Sequence, residues 1–376
     1  MPWLGNRQGF VYKPCTAFVR RTPRLFRPRP RGVRHPALPG TVTRGHHYIR
    51  ENSMFSALLF PGQGSQETGM ARELAEADSD VMDLWKKAER ISGIALREIY
   101  WDGDATAMAD TRNLQPGLTA ANLACWMKLA PRFTPAAAAG HSLGEFSALA
   151  AAGVLPIDTV LELVSLRGRL MSEADPEGKG AMAAVVKLGL DEVQACVTEA
   201  ADATGEMIGI ANYNTPGQFV ISGTRAAIED AQGRAKAAKG RAIPLAVSGA
   251  FHSPMMRDAA TELASAIDAI GKNAWSKARF PVYCNVEPVP AQDPDRIREQ
   301  LKRQMTSSVF WIDTITRQWD DSCRLFVECG PKNVLSKMVD PILKAHAPAA
   351  ATHTEDAPAW RAASVSGLEQ IESFGV

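Results

Sequence analysis

The chain has 376 residues, 45% of them hydrophobic and 22% charged, a composition typical of a soluble globular protein with an insertion or with two domains. Its six cysteines include no C-x-x-C pair, and no apolar run approaches the roughly 20 residues that span a bilayer. These features disfavour a zinc site, a disulfide framework and a membrane span. The scattered cysteines fit a reducing compartment, and we expect a cytoplasmic protein without a metal ion.

Residues 1–53 differ sharply from the rest of the chain. They hold ten Arg, one Lys and seven Pro against a single acid, Glu51, whereas the remainder carries a net charge of −9. They lack the apolar core of a secretory signal, and an organellar transit peptide would be richer in serine and poorer in proline. We expect a disordered basic leader before a functional start at Met54, with an RNA-binding arm as the alternative. The acidic body argues against nucleic-acid binding.

The body opens with a short buried strand at 55–60, a glycine-rich loop at 61–66 and a helix from about Gly69. Backbone N–H groups of such a loop can point at a ligand. The loop does not satisfy the pattern G-x-x-x-x-G-K-[ST], which excludes a phosphate-binding P-loop. Helices at about 79–92 and 113–130 follow.

Residues 140–145, with the sequence GHSLGE, lie between an alanine-rich run and a helix-forming segment that ends at Gly153. This order predicts a strand, a tight turn and a helix, with Ser142 projecting from the turn as a nucleophile requires. The helix start also offers unpaired backbone N–H groups to a developing anion. Taken alone, G-x-S-x-G is a weak signal that favours a loop serine capping a helix, so the remaining residues have to decide.

The predicted helix at 156–174 places Arg167 on its apolar stripe and Arg169 off it. A guanidinium among core positions must reach water or meet an anion, because an unpaired buried charge is very costly. Two kinds of anion satisfy this requirement. One is a carboxylate of the chain itself, and the other is a substrate carboxylate held in bidentate fashion.

From residue 181 to residue 248 the pattern changes to a small alternating unit. Strands are predicted at 181–188, 207–211, 218–222 and 241–247, with helices at 191–203 and 225–239. The order β-α-β-β-α-β is that of the ferredoxin-like arrangement. Glycine-containing joints flank the unit, which indicates an insertion.

His252 stands immediately before Ser253 and Pro254, which predict the start of a helix. The dipole at a helix N-terminus disfavours the imidazolium, and a general base must be neutral. Of the seven histidines, three lie in the leader, two lie near the tail, and His141 adjoins the serine, where neighbours point apart. His252 is therefore the candidate base, although a lone histidine at such a junction also fits a local hydrogen-bonding role.

Toward the end of the chain, strands are predicted at 281–286 and 324–329, with a helix at 293–306 between them. A last helix is predicted at about 333–345. Beyond it the sequence is alanine-rich and polar, and we expect a flexible tail at 346–376.

Five motifs resemble those of one known family. They are FPGQGSQ at 60–66, GHSLGE at 140–145, RGRLM at 167–171, NYNTPGQ at 212–218 and GAFHS at 249–253. Together they look like the malonyl-CoA:acyl carrier protein transacylases of fatty acid synthesis, and the resemblance runs from about Met54 to residue 345. The resemblance implies an α/β fold, with an α/β-hydrolase-like large domain at 54–180 and 249–345 and a ferredoxin-like small domain at 181–248.

The resemblance also implies the catalytic roles. Ser142 would be the nucleophile, His252 its base, and Arg167 the group that holds the malonyl carboxylate. Phe251, just before the histidine, resembles the malonyl-selective members of the family.

Further site residues are implied in the same way. The backbone N–H groups of Gln63 and Leu143 would form the oxyanion hole, and Asn212 would line the cleft between the domains. In this family a main-chain carbonyl orients the histidine, and the segment around Gln304 resembles the one that supplies it.

The implied activity is a ping-pong transfer of a malonyl group from malonyl-CoA to acyl carrier protein through a malonyl-serine. It requires no metal or cofactor, and we expect a monomer that binds neither nucleic acid nor membrane. A serine esterase or thioesterase, with an acid between Ser142 and His252, is the first alternative. A stand-alone acyltransferase of a polyketide pathway is the second, and a non-catalytic scaffold that binds acyl carrier protein is the third.

Overall fold

The computed structural model of the protein describes residues 56–103, 105–348 and 359–374. The leader predicted at 1–53 lies outside these residues. None of the described helices combines the length and the apolar character needed to cross a bilayer. The five cysteines within the described ranges are all buried and unpaired.

The secondary structure alternates between strands and helices along most of the described chain. The strands are β1 (Ser56–Phe60), β2 (Ala137–Gly140), β3 (Gly180–Val186), β4 (Ile208–Thr215), β5 (Gln218–Thr224), β6 (Arg241–Pro244), β7 (Val282–Tyr283), β8 (Leu325–Cys329) and β9 (Arg361–Val365). The helices of the first half are α1 (Arg72–Ala77), α2 (Ser79–Ser92), α3 (Ala105–Ala109), α4 (Thr111–Leu129), α5 (Gly144–Ala151) and α6 (Ile157–Glu173). Those of the second half are α7 (Leu190–Thr204), α8 (Arg225–Ala237), α9 (Arg257–Ala269), α10 (Pro294–Arg303), α11 (Trp311–Asp320), α12 (Ser336–His346) and α13 (Leu368–Glu372).

The larger sheet has the strand order β7-β2-β1-β8-β9, and all of its neighbouring strands are parallel. β1 and β2 are buried at every position, as expected for central strands of a parallel sheet that is covered on both faces. The loops that follow β1 and β2 leave the same edge of the sheet. A ligand site is expected at this edge, beyond the carboxyl ends of the strands.

The smaller sheet is antiparallel, with the order β4-β5-β3-β6. Its core includes Val193 and Ile228 from α7 and α8, packed with Ile221 of β5. Its four strands and two helices follow one another in the order β-α-β-β-α-β, which is the ferredoxin-like arrangement that the sequence predicts. Both sheets belong to one compact unit, so the domain limits drawn at 181 and 248 stay a prediction.

The prediction of a flexible tail at 346–376 is wrong for residues 359–374. β9 pairs in parallel with β8 along its whole length and so extends the larger sheet. Trp360, Val365 and Ile371 are buried against the rest of the protein. The sequence of this segment gives little sign of its structure, because an edge strand and a five-residue helix need few apolar residues to anchor them.

Two predicted strands are shorter than expected. The strand predicted at 241–247 ends at Pro244, which has no N–H to continue a ladder. The strand predicted at 281–286 ends at Tyr283, and Asn285 instead directs its side chain under the turn that carries Ser142. Helix α11 was not predicted from the sequence, although Trp311 and Ile315 mark its buried face.

Candidate active site

The turn between β2 and α5 holds Ser142 in a left-handed backbone conformation, with φ of 50°. The flanking glycines make this turn possible. A Cβ atom on Gly140 would lie 1.9 Å from the carbonyl carbon of Gly144, and one on Gly144 would lie 2.0 Å from the oxygen of Phe60. The G-x-S-x-G spacing is therefore a requirement of close backbone packing, and it projects the serine from the edge of the larger sheet.

Ser142 and His252 are in direct contact. The Ser142 hydroxyl is 2.7 Å from Nε2 of His252, which lies in the loop between β6 and α9. Ser253 caps the turn that leads into α9, and this fixes the position of the preceding histidine. The geometry allows Nε2 to accept the hydroxyl proton.

The other ring nitrogen of His252 faces two main-chain carbonyls. Nδ1 is 3.2 Å from the oxygen of Gln304 and 3.0 Å from the oxygen of Ser307. Because a carbonyl only accepts, Nδ1 carries the proton and Nε2 is left free as the acceptor. One of these carbonyls belongs to the segment around Gln304 that the family resemblance pointed to, and Ser307 provides a second acceptor that the sequence did not suggest.

Burial, followed by the nearby charge of Arg167, lowers the pKa of His252 to about 3. The imidazole is therefore neutral at pH 7, as a general base must be. Desolvation by burial is the largest cause of this shift.

Arg167 is 1% exposed and points from α6 at the serine. Its Nη2 donates to Ser142 Oγ at 3.2 Å and to Gln304 Oε1 at 3.1 Å, and its Nη1 donates to Gln115 Oε1 at 2.8 Å. Burial lowers its pKa to about 10, which leaves it charged at pH 7. Arg169, two residues on, is partly exposed and pairs with Glu173 and Glu262.

One small cavity of about 100 Å³ collects most of the residues singled out from the sequence. Seven of them line it, namely Gln63, Ser142, Leu143, Arg167, Asn212, Phe251 and His252. Gln304 is completely buried behind them and contacts both Arg167 and Ser142. Apolar side chains, among them Met182 and Val247, complete the wall.

Some backbone N–H groups near Ser142 already donate a hydrogen bond, and others do not. The N–H of Ser142 donates to Oδ1 of Asn285 at 2.7 Å. The N–H groups of Gln63 and Leu143 have no acceptor within the described part of the chain. These two groups are thus free to stabilise an oxyanion.

His141, the neighbour of the serine, also borders the cavity. Its Nε2 is 2.9 Å from Oδ1 of Asn214 on β4, and its ring packs edge-on against Trp311. Burial lowers its pKa, so it too is neutral at pH 7. His141 joins the two sheets, while His252 contacts the nucleophile.

Three polar residues of the site escaped the sequence reasoning. Gln115 and Asn285 carry no local signal, because a single amide in an apolar stretch is not distinctive. Glu145 did carry one, since it opens a helix whose other members are almost all apolar, and it is 0% exposed. Among the described residues no cluster of side chains could hold a metal ion.

The family model described as "Acyl transferase domain" matches residues 57–363. A Haemophilus influenzae protein named malonyl CoA-acyl carrier protein transacylase is 38% identical over 291 residues, covering 76% of this chain and 92% of the relative. A Bacillus subtilis protein of the same name is 41% identical over 287 residues, covering 75% and 89%. The chain belongs to the malonyl CoA-acyl carrier protein transacylase family. It is an acyltransferase.

Solved structures of the transacylase family share the fold. An acyl carrier protein S-malonyltransferase from Vibrio cholerae has a TM-score of 0.76 at 34% identity, with 85% of this chain and 99% of that chain covered. A malonyl-transacylase solved in complex with a type II PKS acyl-carrier protein has a TM-score of 0.77 at 34% identity, covering 85% and 98%. These likenesses confirm the α/β fold class and the resemblance carried by the five motifs.

Proposed function

We propose that the protein transfers a malonyl group from malonyl-CoA to the phosphopantetheine thiol of acyl carrier protein, through a malonyl ester on Ser142. The observation that carries the proposal is the convergence on one hydroxyl of a neutral imidazole at 2.7 Å and a buried guanidinium at 3.2 Å. The names of the relatives support the same substrate and acceptor.

In the first half-reaction, Nε2 of His252 takes the hydroxyl proton as Ser142 Oγ attacks the thioester carbonyl. The N–H groups of Gln63 and Leu143 stabilise the oxyanion of the tetrahedral intermediate. Collapse of the intermediate breaks the C–S bond, and the imidazolium returns its proton to the leaving thiolate of coenzyme A.

In the second half-reaction, the carrier's phosphopantetheine thiol enters the same cavity. His252 takes the thiol proton, the thiolate attacks the malonyl ester, and the C–O bond to Ser142 breaks. The proton returns to Ser142, and malonyl-carrier leaves. Because one site serves both partners in turn, the kinetics are ping-pong.

Arg167 selects the acyl group in this proposal. A malonyl ester on Ser142 has a free carboxylate a few bonds from Oγ, and Arg167 is 3.2 Å from that oxygen. An acetyl group offers no carboxylate, so the guanidinium gains nothing from it. Pairing of Arg167 with the malonyl carboxylate also removes one of the causes that lower the pKa of His252, and so makes the imidazole a stronger base.

A serine hydrolase is the alternative function, and the hydrogen-bond partners of His252 disfavour it. A hydrolase triad would place a carboxylate at Nδ1, whereas the acceptors among the described residues are the carbonyls of Gln304 and Ser307. Acyl transfer, rather than hydrolysis, also follows the names of the relatives.

The chemistry uses no metal and no bound cofactor, and we propose a cytoplasmic monomer that serves fatty acid synthesis. A polyketide carrier is the alternative acceptor, since one structural relative was solved with such a protein. Measuring kcat/KM with carriers of the two pathways separates these acceptors.

Mass spectrometry of the intact protein after brief exposure to malonyl-CoA tests the proposal. We expect one added malonyl group on Ser142, none on the Ser142→Ala variant, and transfer of the group to acyl carrier protein when the carrier is added. Absence of the adduct would contradict the proposal. Fast loss of the malonyl group to water without a carrier would favour the hydrolase instead.

A further inference from the structure

Glu145 is a completely buried carboxylate next to the active site. It lies in the first turn of α5, three residues after the nucleophile. Its Oε2 accepts from the backbone N–H of Asn285 at 2.9 Å and from Nε2 of Gln304 at 3.2 Å. No Lys or Arg nitrogen within the described residues lies within 4 Å of it. The mechanism above assigns it no part.

Gln304 connects this carboxylate to Arg167. Its Nε2 donates to Glu145 and, at 2.9 Å, to the carbonyl of Ser142. Its Oε1 accepts from Nη2 of Arg167 at 3.1 Å. The amide is therefore oriented with its NH₂ toward the anion and its oxygen toward the cation, so that its dipole lies between the two charges.

Arg167 has no carboxylate partner within 4 Å among the residues that the structure describes. Its protein acceptors are two amide oxygens and the Ser142 hydroxyl, and its Nε has none. A buried cation without any compensating charge is very costly. A carboxylate bonded directly to it would solve that problem but would compete with a substrate carboxylate for the same N–H groups.

We propose that Glu145 and Gln304 are positioning residues that set the acyl-group preference, with Glu145 compensating the charge of Arg167 across the Gln304 amide so that the guanidinium stays available to a substrate carboxylate. The inference rests on the proposed function. It explains why the carboxylate of Glu145 is separated from the guanidinium of Arg167 by the amide of Gln304 and does not contact it directly.

Two isosteric substitutions test this arrangement because they change the charge in opposite ways. Glu145→Gln removes the distant negative charge and keeps an oxygen that can accept from Asn285 and Gln304. Gln304→Glu places a carboxylate on Arg167, and the proton shared with Glu145 keeps the net charge of the pair near −1. Gln304→Glu therefore moves the negative charge from Glu145 to the neighbouring position 304, which is in contact with Arg167.

The expected effects on malonyl-CoA have opposite signs. Without the distant anion, Arg167 attracts the substrate carboxylate more strongly, and kcat/KM for malonyl-CoA rises about tenfold in Glu145→Gln, through KM. In Gln304→Glu the new carboxylate repels the substrate, and kcat/KM for malonyl-CoA falls about tenfold or more, again through KM. Acetyl-CoA lacks the carboxylate and should be affected little. The malonyl-to-acetyl ratio, which is kcat/KM for malonyl-CoA divided by kcat/KM for acetyl-CoA, should therefore rise in Glu145→Gln and fall in Gln304→Glu.

The dependence on pH gives a second readout. Burial raises the pKa of Glu145 to about 7, so the carboxylate is charged at pH 8.5 and neutral at pH 5.5. The groups that face it do not titrate in this window. The pKa of His252 is about 3, that of Arg167 about 10, and that of the Cys284 thiol well above 9. The difference in kcat/KM for malonyl-CoA between wild type and Glu145→Gln should therefore reach its full size at pH 8.5 and disappear at pH 5.5.

Glu328→Gln is the matched control. Glu328 is also completely buried, but its oxygens accept from the backbone N–H groups of Val334 and Ser336, outside the cavity. We expect no change in the malonyl-to-acetyl ratio for this variant.

Several outcomes would overturn the inference. One is a fall in malonyl transfer for both substitutions, as a purely structural role of Glu145 and Gln304 requires. Another is no change in KM for Glu145→Gln at pH 8.5. If Gln304→Glu does not fold, Glu145→Gln and its pH dependence decide alone. A wild-type protein that transfers no malonyl group would instead refute the proposed function, so the two failures are distinguishable.

Discussion

The two sheets contribute to the cavity in different ways. The groups that react or bear charge lie outside the smaller, antiparallel sheet: Ser142 follows β2 of the larger sheet, Arg167 lies on α6, and His252 lies on the segment that leads from β6 to α9. The smaller, antiparallel sheet contributes Asn212 from β4 and Met182 from β3, which bear no charge. The smaller sheet therefore encloses the cavity, while none of its strands carries a group that reacts or bears charge there.

The link between the sheets is made at β4. The backbone of Val309, which precedes α11, exchanges hydrogen bonds with Ala211 and Tyr213. Asn214 adds a side-chain contact to His141 beside the nucleophile. The smaller sheet is thus fixed relative to the turn that carries Ser142. We expect substitutions on this sheet to change the rate of transfer equally for all acyl groups. Substitutions on the larger sheet should affect the chemistry or the choice of acyl group.

The largest effect is expected from His252→Ala. Removal of the base should lower kcat/KM for both malonyl-CoA and acetyl-CoA by about 10³–10⁴-fold, because the hydroxyl then has no proton acceptor. Stopped-flow measurement of acylation checks this. A loss of less than tenfold would mean that another group accepts the proton.

Arg167→Ala should separate the two substrates. We expect kcat/KM for malonyl-CoA to fall by about 10²–10³-fold, because a buried charge-assisted contact is lost. Acetyl transfer should persist, since acetyl has no carboxylate to bind. Parallel assays with the two thioesters give the ratio, and an unchanged ratio would remove the selective role from Arg167.

His252 should also make stability depend on pH. Its pKa is lowered from 6.5 to about 3 in the folded protein, so the unfolded chain binds more protons between these values. The stabilising contribution is present above pH 6.5 and is lost as the pH falls toward 3, at about 1.4 kcal/mol per pH unit. Urea unfolding at pH 7 and pH 5 measures it. The His252→Gln variant should lack this part of the slope, and equal slopes would contradict the burial effect.

The smallest effect is expected on the enclosing sheet. Asn212→Ala should lower kcat/KM by about tenfold or less, equally for malonyl-CoA and acetyl-CoA, because a neutral wall residue contributes about one hydrogen bond to binding. Steady-state kinetics with both substrates test this equality. A selective loss of malonyl transfer would show that the smaller sheet also takes part in choosing the acyl group.

The sequence by itself determined the elements whose signal is local. The glycine spacing at 140–144 fixed the elbow because only glycine permits the backbone contacts there. The apolar stripe of α6 predicted the burial of Arg167 and the partial exposure of Arg169, because helical periodicity decides which face meets the core. The same kind of local pattern predicted the order of strands and helices in the smaller sheet.

Only the tertiary structure decided how the nucleophile is held. Asn285 and Gln304 reach Ser142 across 143 and 162 residues of chain, and neither spacing nor composition announces such pairs. The tail was misjudged for a related reason, since β9 gains its order from pairing with β8 and not from its own sequence. Contacts between distant segments depend on how the whole chain packs, and a reading of local patterns cannot supply them.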